Sequence, residues 1–187
     1  TTHLRNLNFS AELLEQAGLV SRSERGTLID FLRNRLTIPI HDARGRVVAF
    51  GGRIMGEGQP KYLNTPQTPL FDKSGNLYGL DRAAEPIRRA DQAVVVEGYM
   101  DVIAAHQFGI ENVVASNGTS ITEKQMTLLK RYTQNVVLAL DADEAGSEAA
   151  LRGVEVAAGV ADHETVATID WRGLVTYQDV LQADICV

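Results

Sequence analysis

The amino-acid sequence predicts an α/β fold: a parallel sheet with helices on both faces, preceded by a mixed α+β N-terminal subdomain. Three observations carry this reading. The runs "AVVV" at 93–96 and "NVVLAL" at 135–140 lack the polar alternation of a half-wet strand, as strands buried on both faces require. Helical patterns stand between successive apolar runs, and such alternation is the signature of a parallel sheet. The charge also divides: residues 1–90 hold 13 Lys plus Arg against 9 Asp plus Glu, while residues 91–187 hold 5 against 15. A mildly basic subdomain, 1–90, is therefore expected ahead of a strongly acidic one, 91–187. Ordinary surface charge would account for either half alone. Together they suggest phosphates held by one and cations by the other.

The first half justifies its elements in order. "FSAELLEQAGLV" places Ser10 as the N-cap of a helix that Gly18 stops. "TIPIHDARGRVVAFGGR" reads as strands at 37–41 and 47–50 joined by a tight polar turn at 42–45. "GEGQPKYLNTPQTPLFDKSGNLYGL" is rich in Gly, Pro and Asn, so an extended, turn-filled segment is expected there. It keeps Lys61, Tyr62 and Lys73 among its turns. Such a segment either carries function or merely connects.

In the second half, strand 93–96 is followed by a helix over 100–107, which Gly109 stops. A second strand follows at 112–115. Thr122 and Gln125 form a capping-box pair for a helix running to about Tyr132. Strand 135–140, a helix over 144–158 and a fourth strand at 164–169 complete the pattern.

Composition excludes several classes. The single cysteine, Cys186, rules out both a disulfide framework and a cysteine zinc cluster. No apolar stretch approaches the roughly 20 residues that span a bilayer, and no signal-peptide pattern opens the chain. A cytoplasmic protein with no membrane partner is expected. The start "TTHLRNLNFS" and the end "LQADICV" read as cuts in a longer chain.

Charge stands where apolar runs finish. Glu97 directly follows the 93–96 strand, with Gly98 and Asp101 next, and Asp141 and Asp143 follow the 135–140 strand. In a parallel α/β sheet, ligands bind beyond the carboxyl ends of the strands. Asp141 and Asp143 flank Ala142, so an extended backbone there sets both carboxylates on one side. Hard oxygen donors of this kind suit Mg²⁺ or Mn²⁺, and a divalent ion relieves the repulsion of crowded carboxylates. The competing reading is structural. Glu97 or Asp143 can serve as the N-cap of the next helix, and Asp101 can complement a helix dipole.

The combination of strand–Glu–Gly with strand–Asp-x-Asp-x-x-Gly about forty residues later resembles the Toprim domain. "VVVEGYMDVIAAHQFGIENVVASNGTSIT" is similar to the version in bacterial primases of the DnaG type. "RGRVVAFGGRIMGEGQPKYLNTPQTPLFDKSGNLYGLDRA" resembles the segment that precedes it there, and "FSAELLEQAGLVSR" the start of the catalytic core. The likeness runs over about residues 8 to 158. It implies a Toprim-type sheet behind a basic N-terminal subdomain, with the C-terminal end of Toprim cut short.

The resemblance also implies an activity, the template-directed synthesis of short RNA primers on single-stranded DNA from ribonucleoside triphosphates. A replicative helicase would be a partner through domains that this stretch lacks. Glu97 would be a Mg²⁺ (or Mn²⁺) ligand or general base, Asp101 an accessory acid, and Asp141 with Asp143 the main metal ligands. Arg53, Lys61, Tyr62 and Lys73 match positions that hold template or nucleotide. Gly118 and Thr119, in "SNGTS", match a loop near the incoming nucleotide. Arg33 and Arg35 match a basic stretch.

The tail departs from the family pattern of a further acidic motif. "YQDVL" keeps Asp179 as a metal ligand but has Tyr177 where the first acid belongs and no proline, and Asp170 or Asp184 are substitutes. Asp179 as an acid at a helix start is the structural alternative. Two other functions stay open: another Toprim enzyme, such as a nuclease, and a non-catalytic nucleic-acid-binding module.

Overall fold

Where the sequence runs apolar without a break, the structure sets strands side by side in parallel. The structure is a computed structural model that describes residues 1–117, 120–141, 144–160, 163–169, 175–181 and 185–186. They form two units, Thr1–Asn76 and Leu77–Val187.

The first unit begins with α1 (Thr2–Asn6), α2 (Ala11–Gln16), β1 (Val20–Arg22) and β2 (Leu28–Asp30). The Ser10 side chain accepts from the Leu13 N–H at 3.2 Å, so the expected cap of α2 is in place. Gly18 follows at φ +67°, where a Cβ would also stand 2.7 Å from the Thr65 methyl. β3 (Arg35–His41), β4 (Val47–Ile54) and β5 (Tyr62–Asn64) make an antiparallel sheet in that order. Ile38, Ile40 and Ala49 alternate onto its buried face. The 42–45 turn is built on Asp42, whose Oδ1 accepts from the Arg44 and Arg46 amides at 2.9 and 3.0 Å. The Arg46 amide holds the Asp42 carboxyl below the usual carboxylate range, helped by the Arg46 guanidinium and the Arg44 amide.

The hairpin is longer than expected at its open end, where β3 begins at Arg35 and β4 runs on to Ile54. β5, which lies inside the segment read as turns, and β1, β2 and α1 are further differences. Each of these strands is only three residues long, too short for a period to show.

The second unit runs α3 (Leu80–Ala90), β6 (Ala93–Val96), α4 (Tyr99–Gln107), β7 (Val113–Ala115), α5 (Glu123–Leu129) and β8 (Val136–Leu138). It continues with α6 (Glu144–Val160), β9 (His163–Ile169), β10 (Val175–Leu181) and β11 (Ile185–Cys186). The sheet order is β11-β8-β6-β7, every pair parallel. Ala93 and Val95 of β6 pack into one core with Leu80 and Ile87 of α3, Leu129 of α5 and Ala157 of α6. Val94 and Val96 face the other way, toward Val102 and Ala105 of α4. Both faces are covered, which is why β6 needs no polar residue. The Thr122–Gln125 capping box opens α5 as expected, with the Thr122 side chain accepting from the Gln125 N–H at 3.2 Å.

One expectation is corrected. The strand expected at 164–169 does not join the parallel sheet. β9 pairs antiparallel with β10 along all seven residues, from Val175 opposite Ile169 to Leu181 opposite His163. Its sequence, "HETVATI", spreads polar residues along the strand, unlike the unbroken apolar runs of the sheet. The fourth sheet strand is β11, beside β8. By their internal packing the two units meet at Asn76/Leu77, and buried Leu80, Ala83 and Ile87 give α3 to the second core. The change of net charge comes later in the chain than the change of fold.

Leu138 is 2% exposed at the centre of that core. Leu138→Ala should cost about 2–5 kcal/mol in urea unfolding. Thr122→Ala, which removes one cap, should cost about 1 kcal/mol.

Candidate active site

β6 and β8 are neighbours, with Val94 opposite Val137 and Val95 opposite Leu138, so their carboxyl ends emerge side by side. The Ala139 N–H donates to Val95 O at 2.9 Å and carries the pairing one residue further. Two residues on, the Asp141 N–H donates to Glu97 Oε1 at 3.1 Å. Residues forty-four apart in sequence are thus tied together at the carboxyl end of the sheet, where an α/β protein binds ligands. Glu97 is half-buried and Asp141 exposed. A carboxylate offers about four lone-pair positions, so one accepted amide bond leaves Glu97 able to bind a cation.

Asp101 is used differently. Its Oδ2 accepts from the Gly98 N–H at 3.1 Å, which satisfies a backbone donor at the start of α4. Asp101 thus has a local role at the helix start. Asp179 lies in β10 opposite Thr165, so it is no helix-start acid, and β10 belongs to the β9–β10 ribbon rather than to the parallel sheet. Asp143, Gly118 and Thr119 lie outside the described residues, as do the alternatives Asp170 and Asp184. Among the described residues no three His, Cys, Asp or Glu side chains converge on one point.

After β7, Ser116 and Asn117 are buried, and the Ser116 N–H donates to Val96 O at 3.4 Å. Gln125 is fully buried and does two things. Its Oε1 accepts from the Thr122 N–H at 3.0 Å, and its Nε2 donates to Ser116 O at 3.4 Å. The helix cap therefore also holds the chain after β7. Sequence reasoning sees the cap but not the second bond, which needs the tertiary fold.

In the first unit, strand register sets two of the basic-side candidates, Arg53 and Tyr62, side by side. Arg53 in β4 stands opposite Tyr62 in β5 on one side and Leu36 in β3 on the other. Directly opposed residues share a face, and all three are exposed. Lys61 Nζ lies 5.7 Å from the Tyr62 ring centroid, within cation–π range. Lys73 stands on a separate 3₁₀ turn (Lys73–Gly75), where Asp72 caps the Ser74 amide and the Lys73 N–H donates to Gln67 Oε1 at 3.1 Å. Arg35 points its guanidinium at three backbone carbonyls: Gly52 and Lys61 at 3.3 Å and Pro60 at 2.8 Å. The sequence alone offers only a basic "RNR" here.

The family described as "DNA primase catalytic core, N-terminal domain" matches residues 1–84, and the "Toprim-like" family matches residues 94–175. The chain belongs to the catalytic-core family of DNA primases. A DNA primase of Synechococcus elongatus is 52% identical over 157 residues, 82% of this chain and 23% of the relative. One from Geobacillus stearothermophilus is 42% identical over 166 residues, 89% of this chain and 28% of the relative. The chain thus spans about a quarter of the length of these curated relatives. Among solved structures, a primase domain from Pseudomonas aeruginosa matches with TM-score 0.79 and 40% identity, over 89% of this chain and 53% of that one. The Escherichia coli primase catalytic core matches with TM-score 0.76 and 44% identity, over 83% and 50%. The α/β architecture is that of the primase catalytic cores.

The Glu97–Asp141 bond makes a separable prediction. Glu97→Ala leaves the Asp141 amide without this acceptor and should cost about 1 kcal/mol in thermal unfolding, whereas Glu97→Gln keeps a carbonyl acceptor and should cost little.

Proposed function

We propose that this chain performs template-directed synthesis of short RNA primers on single-stranded DNA, by metal-assisted nucleotidyl transfer. Family membership supports the activity. The observation that carries the site is the bond from the Asp141 N–H to the Glu97 carboxylate, which joins the acids after β6 and β8. A solved DnaG primase catalytic domain described as bound to single-stranded DNA matches this chain with TM-score 0.75 and 42% identity, which supports that template.

The donor chemistry of Glu97 and Asp141, hard carboxylate oxygens at a sheet end, fits Mg²⁺ or Mn²⁺. Glu97, Asp141 and Asp143 would hold the ion, with Asp101 and Asp179 as further candidates. Such an ion supplies positive charge against phosphate oxygens during in-line transfer. The protein's own work is mostly placement, because phosphoryl chemistry needs little covalent help. Arg53, Lys61 and Lys73 would hold backbone phosphates of template or nucleotide without reading sequence. Tyr62, exposed beside Lys61, would stack a base. Gly118 and Thr119 would border the incoming ribonucleoside triphosphate. The Gln125–Ser116 bond holds the chain at Ser116. Glu97 would act as a metal ligand or general base.

Among the described residues no helix is long and apolar enough to cross a membrane. Action in the cytoplasm, alongside a replicative helicase engaged through other domains, belongs to the same reading.

Asp141→Asn and Asp143→Asn should abolish primer synthesis from ribonucleotides on single-stranded DNA and weaken Mn²⁺ binding by calorimetry. Their apo melting temperatures should hold or rise, since each removes charge from an acidic cluster. A clear fall in apo melting temperature would mark these acids as structural caps. Primer synthesis that survives both changes would remove them from the chemistry. Cleavage of DNA in place of synthesis would point to a nuclease instead.

Affinity for single-stranded DNA should fall steeply with salt, at a log–log slope of about −0.7 per phosphate contact. Lys61→Ala and Lys73→Ala should each flatten that slope by somewhat under one unit. Tyr62→Ala should lose about 1–3 kcal/mol with the slope unchanged.

A further inference from the structure

We propose that Arg35 is a positioning residue for the Lys61–Tyr62 edge, acting through the backbone of 60–61 and not through a phosphate. The inference rests on the nucleic-acid role of that edge put forward above. Arg35 is half-buried in β3, while Arg53 and Lys61 are exposed. Its Nη1 donates to Gly52 O and Lys61 O at 3.3 Å, and its Nη2 to Pro60 O at 2.8 Å. A guanidinium presents its donors in one rigid planar fork. Three of those donor contacts here go to neutral carbonyls of the protein itself, one on β4 and two on the segment that leads into β5.

Gly52 makes this path available. A Cβ at Gly52 would lie 3.0 Å from Arg35 Cδ, 3.3 Å from Arg35 Cβ and 2.8 Å from Leu32 Cδ2. Any side chain there would crowd the arginine stem as it crosses β4. The Lys61 carbonyl that Arg35 engages also accepts the Ile54 N–H at 3.0 Å. That bond sits beside the Arg53–Tyr62 pair of the β4–β5 ladder. Asn34, at φ +51°, ties the other end of the connecting loop, accepting from the Met55 N–H at 3.0 Å and donating from Nδ2 to Met55 O at 3.1 Å. The loop between β4 and β5 passes through Gly56 and Gly58 at φ +91° and +138°. Asn34 and Arg35 therefore hold its two ends from one strand start. Releasing the Arg35 end gives the Lys61 and Tyr62 side chains back their freedom, and restricting them is what a preorganised contact requires. A lysine at 35 would keep the charge but not the fork.

The test uses this chain with Arg35→Lys, Arg35→Ala and Tyr62→Ala. Two measurements are made: hydrogen exchange at the Ile54 amide, and single-stranded DNA affinity across a salt series. Positioning predicts faster Ile54 exchange in Arg35→Lys. It predicts that Arg35→Lys weakens DNA binding about tenfold, the order of one stacked base, with an unchanged salt slope. Adding Tyr62→Ala to Arg35→Lys should then cost far less than Tyr62→Ala alone, because both act on the same contact. Wild-type affinity in Arg35→Lys, with a slope flattened by about 0.7 in Arg35→Ala, would assign Arg35 to a phosphate and overturn the proposal. So would Ile54 exchange unchanged in Arg35→Lys. If Arg35→Ala fails to fold, the lysine variant decides alone. If wild type binds no single-stranded DNA, the nucleic-acid reading of the edge falls, and Ile54 exchange still decides whether Arg35 holds it.

Discussion

Parallel pairing of β6 with β8 is the constraint on which the candidate chemistry depends. Parallel strands send their carboxyl ends to the same side, and adjacency brings those ends within one hydrogen bond. Glu97 and Asp141 meet for that reason, across forty-four residues of sequence. The pairing is held by apolar burial on both faces: α3, α5 and α6 cover one, and α4 the other. A polar residue inside β6 would have to enter one of those cores. Charge can appear only where the strand stops, and there it does.

Local backbone needs and functional chemistry compete for the same acids. Every helix start leaves amide donors to satisfy, and a carboxylate is a good acceptor for them. Asp101 takes the Gly98 amide, while Glu97 takes an amide from across the sheet. The first bond is available to any helix with an acid at that position. The second exists only because two strands lie side by side, so it ties two strand ends together where the first only caps a helix. Gln125 combines both functions, closing its own helix and holding Ser116 after β7.

The first unit follows a different logic, that of the antiparallel ladder. Register sets Leu36, Arg53 and Tyr62 in one row on one face, so a cation and an aromatic ring share an exposed edge. A flexible side chain on a free loop would lose rotamer freedom on binding a phosphate or base. Here the backbone beneath Lys61 is pinned by the Arg35 fork and by the Ile54 amide.

Much of this protein was legible from sequence because its signals are local. Ser10 and the Thr122–Gln125 pair mark helix starts through bonds spanning three residues. "AVVV" and "NVVLAL" announce doubly buried strands, since no alternation could survive there. The position of Glu97 and Asp141 at strand ends follows from the same runs. What the sequence could not carry were the choices between distant partners. Strand 163–169 pairs with β10 rather than with the sheet, β11 takes the place beside β8, and α3 joins the second core. Arg33 and Arg35 look alike as charges in "RNR", and only the crossing of β4 at Gly52 turns Arg35 onto carbonyls. Periodicity and capping determined what each segment became, because they act within a few residues. Tertiary packing decided which segments touch, because that energy exists only once both partners are folded.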